Sequence, residues 1–369
     1  MKLTTLQVTN FKNITHASLE FSDKLNCLLG DNGMGKSNLL DAIYYLSMGK
    51  SFSGLTDNAL ITCGETFALL KAEYNRRNAH EELMVGLGGR RKSFKRGGKE
   101  YKRLSAHVGL FPAIMISPGD MSLINGHADE RRRFLDMVIA QGDHRYLEAL
   151  IKYNHALEQR NRLLRDGLHD PALFQAIEIP MDAAARYITH ARRQRVDELS
   201  AIHSRYYHAI AGQDTETPSL SYITHLDNDP DGSLINILDT NRDRDHILKY
   251  TSVGPHRDDM DLNVNGMNVR RTASQGQSKT FTIALRLAQY EFTATQTEMS
   301  PLLLLDDIFD KLDASRVENI MNVVAGDEFG QIFITDTNRR HLDEILGRVH
   351  ATTPHRLWHV TSGTFNIMQ

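Results

Sequence analysis

Gly30-Asp31-Asn32-Gly33-Met34-Gly35-Lys36-Ser37, followed by Asn38, is the stretch on which the reading of this chain turns. Its glycines, its lysine and its hydroxyl stand in the register of a P-loop. The glycines let backbone N–H groups turn onto phosphate, Lys36 reaches for the β- and γ-phosphates, and the Ser37 hydroxyl is placed to bind Mg²⁺. The flanks agree. Leu25 to Leu29 is a short apolar run of strand type and Ser37 to Leu46 has helical periodicity, so the loop joins a strand to a helix whose positive end faces the anion. A plain glycine-rich turn is the alternative, and it does not call for that strand and that helix.

Outward from the loop, Leu302-Leu303-Leu304-Leu305-Asp306-Asp307 supplies the matching half. An apolar buried strand there delivers carboxylates at its C-terminal edge, where ligands bind in open α/β sheets. Asp306 would hold Mg²⁺ through water, and Asp307 would orient or deprotonate an attacking water. Alone, these residues could be a strand and its turn; paired with the loop, they read as catalytic. Between the two motifs, Ser274-Gln275-Gly276-Gln277 opens a helix whose Phe281, Leu285, Ala288 and Phe292 form one apolar stripe. A serine and a glycine at a helix start can bind an anion, although Ser-x-Gly is also an ordinary N-cap turn. The order of the three motifs is similar to that of ABC-type ATPases, whose signature motif binds the γ-phosphate held by the P-loop of a second subunit.

With 369 residues the chain exceeds what one core supports, since single cores stop growing near roughly 250 residues, and two lobes are expected. Hydrophobic residues at 41% and charged residues at 24% describe an ordinary globular protein. A net charge of −3 excludes a chain uniformly coated in positive charge, so contact with DNA has to come from local patches. No run approaches the roughly 20 apolar residues of a membrane span, and Met1 to Thr4 alternates like a strand where a signal peptide would be apolar. A cytoplasmic protein is expected. The two cysteines, Cys27 and Cys63, do not make a disulfide framework, and His355 and His359 lie on an alternating strand-like stretch with no cysteine or carboxylate nearby.

Further strands are predicted at Leu3 to Val8, Ala68 to Tyr74, Ala113 to Ile116 and Ile332 to Ile334, giving a central sheet built from both ends of the chain. From Asp120 to Gly212 the pattern turns helical, with Leu150, Tyr153, Leu157 and Leu164 on one face. About ninety residues in two helices reach only roughly 60 Å, so a compact arm is expected and no long coiled coil. The turn-rich Asp227 to Gly232 would then lead back through strands to the nucleotide domain. The fold class is α/β: an ABC-type P-loop ATPase head of mixed sheets with flanking helices, plus a helical second lobe. The expected limits are 1–116 for the first part of the head, 117–245 for the arm and 246–369 for the second part of the head.

Arg90, Arg91, Lys92, Lys95, Arg96, Lys99, Lys102 and Arg103 crowd a glycine-flanked stretch that contains one acid, Glu100. Such a cluster reads either as a hairpin that tracks phosphates, with salt-sensitive binding, or as a solvated basic loop. Phe94 and Tyr101 within it could stack on bases. Arg131, Arg132 and Arg133 sit at a helix start, where positive charge opposes the helix dipole and asks for an external anion or for an internal partner such as Asp129 or Glu130.

Several blocks then carry a specific resemblance. They are Asn10-Phe11-Lys12-Asn13, the loop from Gly30 to Asn38, Ser117-Pro118-Gly119-Asp120, Arg131-Arg132-Arg133-Phe134-Leu135-Asp136 and Gln159-Arg160-Asn161, then Gly254-Pro255-His256-Arg257-Asp258-Asp259, Ser274 to Gln277 and Asp306-Asp307-Ile308-Phe309-Asp310-Lys311-Leu312-Asp313. In this order the chain resembles the RecF family, and the His-Arg-Asp-Asp block sets that family apart from other ABC-type ATPases. The resemblance implies ATP and Mg²⁺ as cofactors, with Lys36, Ser37 and Asp306 on nucleotide and metal, Asp307 in hydrolysis, Ser274 acting across an ATP-dependent homodimer with Gly276 and Gln277, and Asp313 as the D-loop aspartate of the same interface. It further implies DNA as partner, single- and double-stranded at gaps and junctions, with RecR and RecO as protein partners in loading RecA during repair and replication restart. Two departures from the wider ABC pattern favour a slow timer over a motor: Asp307 stands where a glutamate is usual, and Asp336-Thr337 stands where a switch histidine is usual. The rivals are another SMC-like structural ATPase head and a P-loop phosphotransferase.

Overall fold

The computed structural model describes residues 1–88, 92–212, 215–309, 312–348 and 353–368. Arg90 and Arg91 of the basic stretch, and Asp310 and Lys311 of the acidic block, lie outside the described residues. The strands, in chain order, are β1 (Lys2–Phe11), β2 (Ile14–Glu20), β3 (Leu25–Leu29), β4 (Phe67–Arg76), β5 (Ala79–Gly88), β6 (Ser93–Arg96), β7 (Lys99–Glu100), β8 (Ala113–Ile116), β9 (Pro218–Ile223), β10 (Asp259–Val264), β11 (Met267–Asn268), β12 (Leu302–Asp306), β13 (Ile332–Asp336), β14 (His355–Thr361) and β15 (Thr364–Met368).

The chain divides into two units: Met1–Asp120 with Tyr206–Asp214 and Gln275–Gln369, and Met121–Arg205 with Thr215–Ser274. Unit 1 holds two sheets. The first runs β15-β14-β3-β13-β12-β8, with β14, β3, β13, β12 and β8 parallel and β15 antiparallel at one edge. Every residue of β3, β8 and β13, and Leu302 to Leu305 of β12, is buried, as expected of strands covered on both faces. Strands from both ends of the chain meet here as predicted. The second sheet, β2-β1-β4-β5-β6-β7, is antiparallel, and β4 alternates between buried and more open positions because only one of its faces meets the core.

Two helices of this unit fix the site. Lys36–Met48 leaves the loop after β3 and stops at Gly49, whose left-handed φ of 65° lets its N–H close on the Tyr45 carbonyl. Gln275–Thr297 is buried on more than the predicted stripe, since Thr280, Ile283, Ala284 and Arg286 are inside as well. Arg286 is tolerated there because it bonds Asp120, with Nη2 2.5 Å and Nε 3.0 Å from Oδ1. Cys27 is fully buried on β3, and burial pushes its thiol up to about 12.

Unit 2 contains the helices Ala128–Gly142, His144–Arg165 and the larger part of Pro171–Ala211. At 41 residues the last is about 60 Å long, the reach expected of the arm. The domain limits need correction at one end. Residues 246–274 belong to unit 2, because β10 pairs in full register with β9 and then with β11 to make a three-stranded sheet of its own. The strands after the Asp227–Gly232 turn therefore do not lead straight back to the parallel sheet of unit 1; that return begins at Gln275.

Unit 2 also buries charge. Arg160, with no exposed surface, donates from Nε to Glu178 at 2.8 Å and from Nη1 to Asp245 at 2.7 Å and to Thr251 at 2.8 Å. Arg192 bonds Asp136 at 2.8 Å and the Pro255 carbonyl at 2.7 Å. Asp258 accepts from the Tyr222 hydroxyl, and burial raises its carboxyl.

Candidate functional site

The site stands at the C-terminal ends of β3, β12 and β13. After β3 the chain turns through Gly30–Gly35. Gly35 has a φ of 111°, and a Cβ there would lie 2.9 Å from Asn13 Oδ1. Gly30 is hemmed in by backbone, since its Cβ would stand 2.4 Å from the Val360 carbonyl oxygen. Both glycines thus allow a tight loop that a side chain would open. Asn13 braces it by donating to the Gly33 carbonyl at 3.3 Å and accepting from Asn38 Nδ2 at 2.8 Å. On the other flank Gly363 N–H donates to the Met34 carbonyl at 2.8 Å.

Lys36 is largely buried, and its ammonium donates to the carbonyls of Gly30 at 2.6 Å and Asp31 at 2.9 Å. Burial lowers its pKa from the ordinary value, opposed by the charges of Asp307, Asp306, Asp336 and Asp31. The next residue closes the site: Ser37 Oγ donates to Asp306 Oδ1 at 2.7 Å, joining residues 269 positions apart. Thr335 Oγ1, at the end of the neighbouring strand β13, donates to the same oxygen at 2.7 Å and accepts from Asp307 N–H at 3.1 Å. Asp307 itself takes a left-handed φ of 48°, uncommon for a residue with a side chain and concentrated at functional turns. Ser37 and Asp306 pair a neutral with an anionic hard oxygen donor, a set that fits Mg²⁺.

Of the residues predicted for the site, Lys36, Ser37, Asp306 and Asp307 thus converge, and Asp31, Asn32 and Gly33 are exposed on the loop. Ser274, the last residue of unit 2, is exposed; Gly276 and Gln277 are half-buried in the first turn of Gln275–Thr297. Asp313 caps the helix Ala314–Ala325, accepting from Arg316 N–H at 2.9 Å. Thr335 and Asn13 had no assigned role in the sequence. Thr335 ends an apolar strand immediately before Asp336, and only the strand order shows that it faces Asp306.

The basic stretch resolves into parts. Lys92 donates to the Gly49 carbonyl at 2.7 Å and pairs with Asp57, and Arg96 pairs with Glu81 at 2.5 Å. Phe94 is buried against His107, with ring centroids 4.6 Å apart, so it belongs to the core, and Tyr101, half-buried, meets the same histidine. Lys99, Lys102 and Arg103 are exposed, with no carboxylate among the described residues in ion-pair range. Arg131 and Arg133 are met internally, by Asp259 at 2.7 Å and by Asp129 and Glu130 at 2.8 Å, and Arg132 donates to the Asp258 carbonyl at 2.7 Å. His355 and His359 are exposed on β14.

Comparison with known proteins places this geometry. The family model described as RecF/RecN/SMC N terminal domain matches residues 2–356. A DNA replication and repair protein RecF from Parabacteroides distasonis is 47% identical over 347 residues, 94% of each chain. Its counterpart from Bacteroides fragilis strain YCH46 is 45% identical over 372 residues, 100% of this chain and 99% of the other. Among solved structures, the recombination mediator protein RecF with ATP, from the RecFOR pathway, superposes with a TM-score of 0.88 at 27% identity, covering 100% of this chain and 98% of that one. The Smc head domain of Pyrococcus furiosus, with an extended coiled coil, shares the fold at a TM-score of 0.58 and 15% identity, covering 100% of this chain and 96% of that one. The chain therefore belongs to the RecF family of DNA replication and repair proteins.

Proposed function

We propose that this protein is an ATP-switched recombination mediator that recognises gapped DNA as a dimer and helps load RecA, with RecR and RecO as partners. Unit 1 is then the ATPase head. The observation that carries the reading is the contact of Ser37 with Asp306, which joins the phosphate loop to the acidic strand in one site. The N–H groups of Gly30–Lys36 and the Lys36 ammonium would take the phosphates. Ser37 and Asp306 would hold Mg²⁺, which neutralises phosphate charge when bound. Asp307 would orient the attacking water, one methylene further back than a glutamate would stand, consistent with slow hydrolysis. The RecF relatives and the RecF structure with ATP support the same assignment.

Ser274 is the residue that would complete the γ-phosphate site of a second copy, so nucleotide state would decide whether two copies hold together. A P-loop phosphotransferase would have no use for Ser274, and a purely structural SMC-like head would have no preference among DNA substrates. The test is a DNA titration with duplex, single-strand and gapped substrates, each with and without ATP. Tightest binding to gapped DNA with ATP is expected, and equal binding to all substrates in both states contradicts the proposal. Lys99, Lys102 and Arg103 are the candidate phosphate contacts of the basic stretch. Charge reversal at all three should reduce the salt slope of binding by about 3.

A further inference from the structure

Gly276, in the first turn of Gln275–Thr297, and Asp313, the cap of Ala314–Ala325, are far apart in sequence, and one side chain ties them. Arg316 stands in the first turn of the second helix, with its Nε 3.2 Å from Asp313 Oδ2. Its guanidinium also reaches the first helix: a Cβ added at Gly276 would lie 2.5 Å from Arg316 Nη1 and 3.4 Å from Cζ. Gly276 does not take a positive φ, so its backbone does not demand a glycine. The end of the Arg316 side chain occupies the place that a Cβ would take, so a side chain there has to move the guanidinium. The Arg316 side chain is 17% exposed and that of Asp313 57%, so the cation is packed down while the carboxylate faces outward. The Ser315 hydroxyl, at 2.7 Å, and the Arg316 N–H hold the Asp313 carboxyl below its ordinary value and keep it charged. The charge arrangement is self-consistent. A cation at a helix start opposes the dipole, and the adjacent Asp313 carboxylate offsets that cost for Arg316.

We propose that Arg316 is a positioning residue that locks the Gln275–Gln277 turn and Asp313 into one surface, so that both meet a second copy of the chain together. The inference rests on the proposed ATP-dependent dimer. Two short elements that dock independently each lose freedom on binding, whereas elements already joined have lost it beforehand. Without the guanidinium, each turn could settle differently, and misplacement by an ångström can cost on the order of a hundredfold.

The experiment compares dimerisation under ATP and Mg²⁺, by light scattering against protein concentration, with ATP binding by the dilute monomer. Arg316→Ala should weaken dimerisation roughly ten- to a hundredfold and leave monomer ATP affinity unchanged. Gly276→Ala, which drives the guanidinium off its seat, should also weaken it. The double variant should lose no more than the worse single one, since both break a single contact. Arg316→Lys, which keeps the charge without the planar fork, should recover only part of the loss. Should Arg316→Ala melt early, Arg316→Gln, which keeps most of the stem, carries the same test. Wild-type dimerisation by Arg316→Ala or Arg316→Gln, losses that multiply in the double variant, or full recovery with lysine would each overturn the proposal. If the wild-type chain stays monomeric with ATP, the dimer reading itself fails, and that is seen before any substitution is made.

Discussion

The candidate site of unit 1 and the core of unit 2 use charged residues in opposite ways. At the mouth of the parallel sheet, Lys36 meets backbone carbonyls and Asp306 meets the hydroxyls of Ser37 and Thr335, and Ser37 is exposed. In unit 2, Arg160 and Arg192 are buried, and each lies against two carboxylates. Weak, exchangeable partners suit residues proposed to trade them for phosphate and metal. Buried ion pairs suit residues that must not move. Blocks that look equally distinctive in the sequence therefore divide into chemistry and framework, and the division follows the kind of partner each charge meets.

The largest effect expected from this contrast is in unit 2. Arg160→Ala would leave Glu178 and Asp245 buried without their cation, which should destabilise the unit by about 3–5 kcal/mol. Urea unfolding measures it, and a loss below about 1 kcal/mol, the range of exposed pairs, would mean that this network is no framework. A smaller change is expected in unit 1. Thr335→Val removes the hydroxyl that steadies both Asp306 and Asp307, and should weaken Mg²⁺-dependent nucleotide binding about tenfold with little loss of stability. A variant that instead unfolds early while binding normally would place Thr335 with the framework.

The smallest effect at neutral pH, and the one common to both units, comes from two neutral histidines. Burial pushes His107 in unit 1 and His256 in unit 2 down to about 4, against 6.5 ordinarily. Their ring nitrogens lie 2.8 Å from the Leu46 carbonyl and 2.7 Å from the Tyr153 hydroxyl, respectively. As pH falls through 6.5 the unfolded chain takes up these protons first, so their contribution to stability declines from pH 6.5 towards 4. Asp120 and Asp258, raised by burial, act in the opposite sense, because the folded chain protonates them more readily. The comparison to make is therefore wild type against His107→Gln, whose stability difference should shrink as pH falls from 7 to 5. A difference independent of pH in that range would contradict the assignment.

The parts legible in the sequence were those whose chemistry requires neighbouring residues. A phosphate loop needs its glycines, Lys36 and Ser37 together, and a buried strand announces itself as Leu302 to Leu305. The pairings that complete unit 2 were not legible, because they join distant residues: Arg131 with Asp259 and Arg160 with Asp245. The same limit left the basic stretch open between two readings. Alternation along β6 turns Phe94 inward, and strand pairing brings Arg96 to Glu81, which no local pattern of charge reveals. The boundary at 246 failed for a related reason: a short strand does not show which sheet it joins, and β10 joined β9.

The most direct test of the nucleotide-switch account is the particle mass in solution, by light scattering, of the wild-type chain, Lys36→Arg and Ser274→Arg with saturating ATP and Mg²⁺. A dimer for the wild type, and monomers for both variants with their folds retained, is the predicted result. A wild-type chain that remains monomeric with or without DNA, or a Ser274→Arg chain that dimerises as well as the wild type, would contradict it.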